Sequence, residues 1–234
     1  MSASISTSIP DVDTTAIGLK QAETLTDAAA LFARRTGPRV MFLATAIALV
    51  VRLYLGSFAA WDLAVAAVTI VLWWIQEWLA HLTLLHMRPR RVLGVTIDPI
   101  FAQFHRAHHQ EPWSAQWVLV PVRFVVLGFF ASALAFFVVL PTLQLAATAW
   151  LTYCLMGVIY EWTHLLVHTR YKPQSAFFRE IWKNHRLHHF KNEGYWFGLS
   201  GTFVDHLMRT APDAADVPTS ATTRTLGVSE EAPR

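Results

Sequence analysis

The chain has a single cysteine, Cys154, set inside an apolar run, so it can build neither a disulfide framework nor a thiolate metal site. Charge is scarce: 15% of 234 residues are Asp, Glu, Lys or Arg, against 54% hydrophobic, and mean hydropathy is +0.35. That balance fits a polytopic membrane protein better than a soluble domain. No G-x-G-x-x-G stretch is present, which excludes a nicotinamide dinucleotide as the direct reductant in any redox role. The formal charge of +3 is too small to imply a nucleic-acid partner. The first 35 residues contain Asp11, Asp13, Glu23 and Asp27 and lack an apolar core with a small-residue cleavage site, so no signal peptide is expected.

Long apolar runs are what the chain has in abundance. Val40 to Ala60, Leu63 to about Leu85, Trp117 to Leu140 and Leu143 to about Leu166 each approach the ~20 residues that cross a bilayer core. Residues 56–62 and 141–142 are long enough only for turns, so the runs pair as two helical hairpins. Arg52 and Arg123 interrupt spans and are expected to snorkel or to pair. Both turns lack Lys and Arg, whereas Arg34, Arg35, Arg39, Arg88, Arg90, Arg91 and the basic residues after 169 lie at the other ends. The positive-inside rule then puts both termini and the active face in the cytoplasm. Before the first span, residues 1–35 form a polar segment; within it Leu25, Ala28, Ala29 and Phe32 mark an amphipathic helix, capped by Thr24 or Thr26 and read as lying on the membrane surface, with a fold-back onto the domain as the close alternative. Residues 36–210 are read as one catalytic domain. Residues 211–234 carry few large apolar groups and are expected to be a disordered tail.

Ten of the eleven histidines form one motif written twice. His81-x4-His86 is followed by His105-x2-His108-His109, and His164-x3-His168 by His185-x2-His188-His189. Composition alone predicts roughly 0.02 copies of H-x-x-H-H, and there are two. Glu77-Trp78 and Glu161-Trp162 precede the two sets, which suggests a duplication. Each first pair stands at the cytoplasmic end of its span, so matching hairpins bring both sets to one depth. Imidazole is the commonest neutral ligand and suits iron, zinc, copper or nickel. A closed zinc site needs four ligands. The chain offers more than twice that, which favours a pair of O2-binding irons, with zinc able to compete for the same nitrogens. Glu77, Glu161, Glu193 and Asp205 are the candidates for balancing the charge from just outside the ligand shell, orienting ring nitrogens. His206 stands apart and is not expected to ligate.

At Glu77-Trp78-x-x-His81, His105-Arg-Ala-His108-His109 and His185-Arg-Leu-His188-His189 the chain resembles the fatty acid hydroxylase/sterol desaturase superfamily of integral-membrane di-metal oxygenases. Lys191 to Gly198, Gly201-Thr202 and Asp205 are similar to that family's closing segment, with Arg209 where a glycine is expected before the final Thr. The resemblance implies four transmembrane helices under a cytosolic helical cap, a di-iron centre, and O2 as co-substrate. It further implies oxidation of an unactivated C–H bond of a membrane lipid, a fatty acyl chain above all, in lipid biosynthesis. Members often carry a fused haem domain, for which 35 residues are too few, so an external ferredoxin- or cytochrome-type one-electron donor is expected. Carotenoid or sterol hydroxylases and desaturases of the same superfamily stay open. A histidine-rich metal transporter or sensor is the rival of another class; it would need polar groups at mid-membrane, and the second and fourth runs are apolar until their ends.

Overall fold

Each apolar run becomes a helix in the computed structural model, which describes residues 18–228. The elements are α1 (Leu25–Arg34), α2 (Thr36–Leu55), α3 (Ala60–Leu79), a π-helical turn (Ala80–Leu85), β1 (Arg90–Val92), β2 (Val95–Ile97), α4 (Ile100–Gln110), α5 (Ala115–Val118), α6 (Val122–Val139), α7 (Leu143–Val167), α8 (Ala176–Phe190) and α9 (Phe203–Leu207). Four stretches, Thr36–Leu55, Ala60–Leu85, Ala115–Val139 and Leu143–Val167, are long and apolar enough to cross a membrane. Their outer faces are rich in exposed Leu, Val and Phe, as a lipid-facing surface requires.

α7 is the hub, packing against α2, α3 and α6. Near the turn end it is buried almost all round at Ala146, Ala147, Thr148 and Ala149, small residues that let neighbouring backbones approach where lipid supplies no hydrophobic drive between helices. α2 answers with Ala44, Ala48 and Arg52 at four-residue intervals, one stripe of the helix. Although a short turn joins α2 to α3, each packs more extensively on α7 than on the other.

Arg52 is only 2% exposed and ties three helices together. Its guanidinium donates to Asp62 Oδ1 at 2.8 Å on α3, to Thr148 Oγ1 at 2.6 Å on α7, and to the Gly56 carbonyl at 2.6 Å. This is pairing rather than snorkelling. Arg123 instead lies over the rings of Phe104 and Phe124, at 5.2 and 5.1 Å.

The amphipathic N-terminal segment forms as read, and of its two expected placements it takes the fold-back rather than the membrane surface. Thr24 caps α1 with a reciprocal pair of bonds: Asp27 N donates to Thr24 Oγ1 at 3.1 Å, and Thr24 N to Asp27 Oδ2 at 3.0 Å. Ala28, Leu31 and Phe32 then join Leu19, Ala22, Val118, Leu119, Leu165 and Leu166 in one core cluster. The apolar stripe is satisfied by protein, so α1 is folded back onto the domain. Residues 1–17 lie outside the described residues.

The expected disorder of 211–234 does not hold over 211–228. Val217 and Leu226 are buried, and this segment hydrogen-bonds to Lys191, Asn192, Glu193, Arg88 and His109. Low apolar content understates its packing because its ties are mostly polar. Residues 229–234 lie outside the described residues.

Candidate metal centre

α3, α4, α7 and α8 converge at one end of the bundle and bring the ten clustered histidines together. His81, His86, His105, His109 and His188 form one group, and His108, His164, His168 and His185 another; within each group one ligand nitrogen per residue lies within 4.8 Å of the rest. His189 falls outside both groups by that measure, yet its Nε2 is 3.0 Å from His185 Nε2. His206 is elsewhere, with Nε2 2.6 Å from Glu180 at the surface.

The partition crosses the two halves of the chain. Along a helix, adjacent residues are about 100° apart, so the last two histidines of H-x-x-H-H cannot face the same way. His105 and His109, the first and last rings of the first copy, stay with their own half, as does His185, the first ring of the second. His108, the middle ring of the first copy, turns into the second group, and His188, the middle ring of the second copy, turns into the first. By this symmetry His189 is the counterpart of His109.

A second departure from simple repetition lies at His81-x4-His86. Five α-helical positions would leave the two rings about 140° apart. The π-helical turn at Ala80–Leu85 lengthens the local repeat by one residue and brings them to the same side, with ring centroids 5.1 Å apart. His164-x3-His168 needs no such device, and α7 continues without interruption to Val167.

Several rings are held with a bare nitrogen pointing inward. His81 Nδ1 donates to the Phe197 carbonyl, His109 Nδ1 to that of Thr223 and His188 Nδ1 to that of Tyr195, each at 2.7 Å. A carbonyl only accepts, so the proton sits on Nδ1 and each Nε2 presents a lone pair. Yet His105 Nε2 lies 3.1 Å from His81 Nε2 and 3.2 Å from His109 Nε2. One N–H on His105 could serve one of these neighbours, never both. His185 Nε2 is in the same position, 2.9 Å from His168 Nε2 and 3.0 Å from His189 Nε2. Nitrogens bound at ~2.0–2.1 Å to one cation, at right angles, stand about 3.0 Å apart. Among the described residues the buried Nε2 atoms of His86 and His188 have no hydrogen-bond partner. The donor set therefore fits a cation in each group.

Burial, with help from neighbouring rings, holds His105, His108, His109, His168, His185, His188 and His189 well below the ordinary histidine range, and takes His86 down to about 2. These imidazoles are neutral at physiological pH, the form that ligates.

The four acids act one step further out than the sequence suggests. Among the described residues none of them hydrogen-bonds to a clustered ring. Glu77 accepts from the backbone N–H groups of Leu199 and Ser200, from the Ser200 hydroxyl and from Trp73. Asp205 accepts from Phe197 N at 3.0 Å and Gly198 N at 2.6 Å. Together they clamp the loop whose Phe197 and Tyr195 carbonyls hold His81 and His188. Glu193 accepts from Thr222, beside the Thr223 carbonyl. Glu161 accepts from Val120 N at 2.6 Å, and its other oxygen is buried with no partner among the described residues. Carbonyl oxygens orient the rings; carboxylates hold the carbonyls. Backbone acceptors have no sequence signature, which is why Tyr195, Phe197 and Thr223 escape a motif search.

The clamped loop accepts unusual backbone geometry. A Cβ at Gly198 would run into the Gly201 carbonyl and the Asp205 carboxylate, so only glycine fits there. Arg209 has φ +58°, the left-handed region, at the position where the family pattern expects glycine. The turn it makes is intact: Thr210 N donates to Asp205 O at 2.8 Å, and Trp196 N to Thr210 O at 2.7 Å. Trp78 is buried against Phe197 and donates to Thr210 Oγ1 at 3.0 Å.

A cavity of about 250 Å³ runs between α2, α3, α6 and α7, lined by Ala44, Val125, Phe129, Gly157 and other mostly apolar residues, and reaches His81. A second of about 180 Å³ touches His105, His108 and His164. The two share Leu85, Val120, Phe124 and Tyr160 as walls.

The family model described as fatty acid hydroxylase matches residues 66–210, more than half of the chain. The chain belongs to the fatty acid hydroxylase family. The match takes in all ten clustered histidines and stops short of the ordered C-terminal segment. Among curated relatives, fatty acid 2-hydroxylase of Rattus norvegicus is 28% identical over 152 residues, covering 62% of this chain and 39% of its own length. The Homo sapiens fatty acid 2-hydroxylase is 27% identical over 141 residues, covering 59% of this chain and 37% of its own. The chain thus spans about two fifths of the length of these relatives. In fold it is similar to full-length Scs7p, of which only the hydroxylase domain is visible: the TM-score is 0.61 at 20% identity, over 85% of this chain and 70% of that one.

Proposed function

We propose that the chain is an O2-dependent di-iron hydroxylase acting on an unactivated C–H bond of a membrane lipid, a fatty acyl chain in lipid biosynthesis. The observation that carries this reading is the apolar cavity between membrane-spanning helices that ends at His81, one of the clustered rings. An alkyl chain entering from the bilayer would lie along Val125 and Phe129 with its reactive carbon at the histidine end. The names of the curated relatives, fatty acid 2-hydroxylases, point to the same substrate class.

In this reading His81, His86, His105, His109 and His188 would hold one iron, and His108, His164, His168, His185 and His189 the other. Bound there, the irons would supply the redox chemistry that activates O2; the protein supplies ligands, register and dryness. The carbonyls of Phe197, Tyr195 and Thr223 keep the ring protons on Nδ1, so that Nε2 stays free to ligate. The packed cap excludes water from the reacting carbon. Electrons come from an external ferredoxin- or cytochrome-type donor. The basic residues around the cap support a cytoplasmic orientation for it.

Reconstitution with defined metals tests the proposal. Iron-loaded protein with a one-electron donor, O2 and lipid should yield a product 16 mass units heavier by mass spectrometry. Zinc binds such nitrogens more tightly than ferrous iron but has no redox change, so the zinc form should be folded and inert. Turnover by the zinc form would overturn the mechanism. His105→Ala and His185→Ala, each removing the ring that two others converge on, should abolish product and metal binding while the protein still inserts.

A further inference from the structure

The segment after residue 210 lies beyond the stretch that the family model matches. It nonetheless bridges the C-terminal ends of the two helices that carry H-x-x-H-H. At the end of α8, Ser220 N donates to the Lys191 carbonyl at 2.7 Å, Asn192 Nδ2 to the Pro218 carbonyl at 3.1 Å, and Thr222 Oγ1 to Glu193. At the end of α4, Arg224 donates to the Gln110 carbonyl at 2.8 Å, and the Thr223 carbonyl accepts from His109 Nδ1 at 2.7 Å. Arg88, just past the first histidine pair, donates to the Leu226 carbonyl at 2.9 Å. Val217 and Leu226 anchor the ends, 4% and 3% exposed.

α4 packs on the π-helical turn and on α5, whereas α8 packs on α7. The first group needs rings from both helices: His109 of α4 and His188 of α8 lie with centroids 5.0 Å apart. We propose that residues 217–227 are a working part of the metal centre, a strap that fixes the proton of His109 on Nδ1 and holds α4 and α8 at the spacing at which His109 and His188 share one metal. The second group is less dependent, because none of its rings hydrogen-bonds to this segment, whereas His109 of the first does. Gly227 shows how closely the strap is fitted: its φ is +70°, and a Cβ there would meet the Arg88 guanidinium.

This rests on the reading that the histidines bind metal, and the experiment separates the two. Purified full-length protein and three variants are loaded with iron or zinc, challenged with graded chelator, and analysed for metal per chain. The variants are truncation after Thr219, Gly227→Val, and Thr223→Ala, which keeps the carbonyl. Truncation and Gly227→Val should each release one of two metals at chelator concentrations about tenfold or more below those for the intact chain, as loss of an outer-shell partner does elsewhere. The second metal should stay bound and reports that the fold persists; Thr223→Ala should behave as the intact protein. Cobalt(II), whose visible absorption follows its ligand geometry, should show one altered and one unaltered site. If the truncated chain aggregates, Gly227→Val decides. Two metals held as tightly in Gly227→Val as in the intact chain would overturn the strap, whereas an intact chain that binds no metal would overturn the metal reading itself.

Discussion

Single residues set the chemical state of this centre. The clustered histidines outside the spans are neutral because burial penalises their charged form. Their folded-state pKa lies below the ordinary ~6.5 of the unfolded chain. Above ~6.5 both states are neutral and folding carries no protonation penalty. As pH falls below that, the unfolded chain gains protons that the folded one cannot, so stability is lost from ~6.5 downward. The metal-free protein should hold a constant melting temperature above pH 7 and lose it steadily towards pH 5; a melting temperature that rises on acidification would contradict neutral burial. Arg209 makes the opposite kind of case, a local cost that the fold carries. A non-glycine residue at φ +58° costs roughly 1–2 kcal/mol. Arg209→Gly restores the residue the family pattern expects and should raise stability by up to about 1 kcal/mol, offset by the added freedom of the unfolded chain. A loss of stability in denaturant titration would show that the arginine side chain is itself needed.

At the scale of elements, the π-helical turn is the clearest adaptation. It reconciles a five-residue spacing in the first half with a four-residue spacing in the second, so that both present paired rings. Deleting Leu84 converts His81-x4-His86 into the spacing of His164-x3-His168, and an unbroken α-helix would then keep the rings about 40° apart. The deletion should leave two metals per chain, with circular dichroism unchanged. Loss of one metal would mean that the bulge, and not the common face, is what the site requires. The Glu77 and Asp205 clamp follows the same logic at one remove: two carboxylates from separate elements fix a loop, and the loop's carbonyls fix two rings. These acids stand out in the sequence, but the groups they hold do not, because a backbone carbonyl looks the same at every position.

For the whole molecule, four helices long and apolar enough to span put all ten clustered rings at one end and the Arg52–Asp62–Thr148 tie at the other. The proposed orientation places the ring-bearing end in the cytoplasm. With Cys154 replaced by Ser, a cysteine at Ser57, in the turn between α2 and α3, should react with an impermeant reagent applied from outside, and one at Ser175, before α8, should not; the reverse pattern would invert the topology.

The long apolar helices and the histidines that cluster at their ends were legible in the sequence because they are local properties. Hydropathy over twenty residues sets a helix's place in the bilayer, and spacing along one helix sets which rings share a face. The same locality explains the capped α1, legible from Thr24 to Phe32, while its partner surface was not, since a stripe of apolar residues does not say whether lipid or protein covers it. Only the tertiary structure decided how ten rings divide into groups. His108 and His188 each leave their own half because adjacent positions on a helix diverge by about 100°, and what each meets depends on the helix standing opposite. The strap was hidden for a related reason: polar residues 218–224 read as disorder until the ends of α4 and α8 lie close enough to be joined by them.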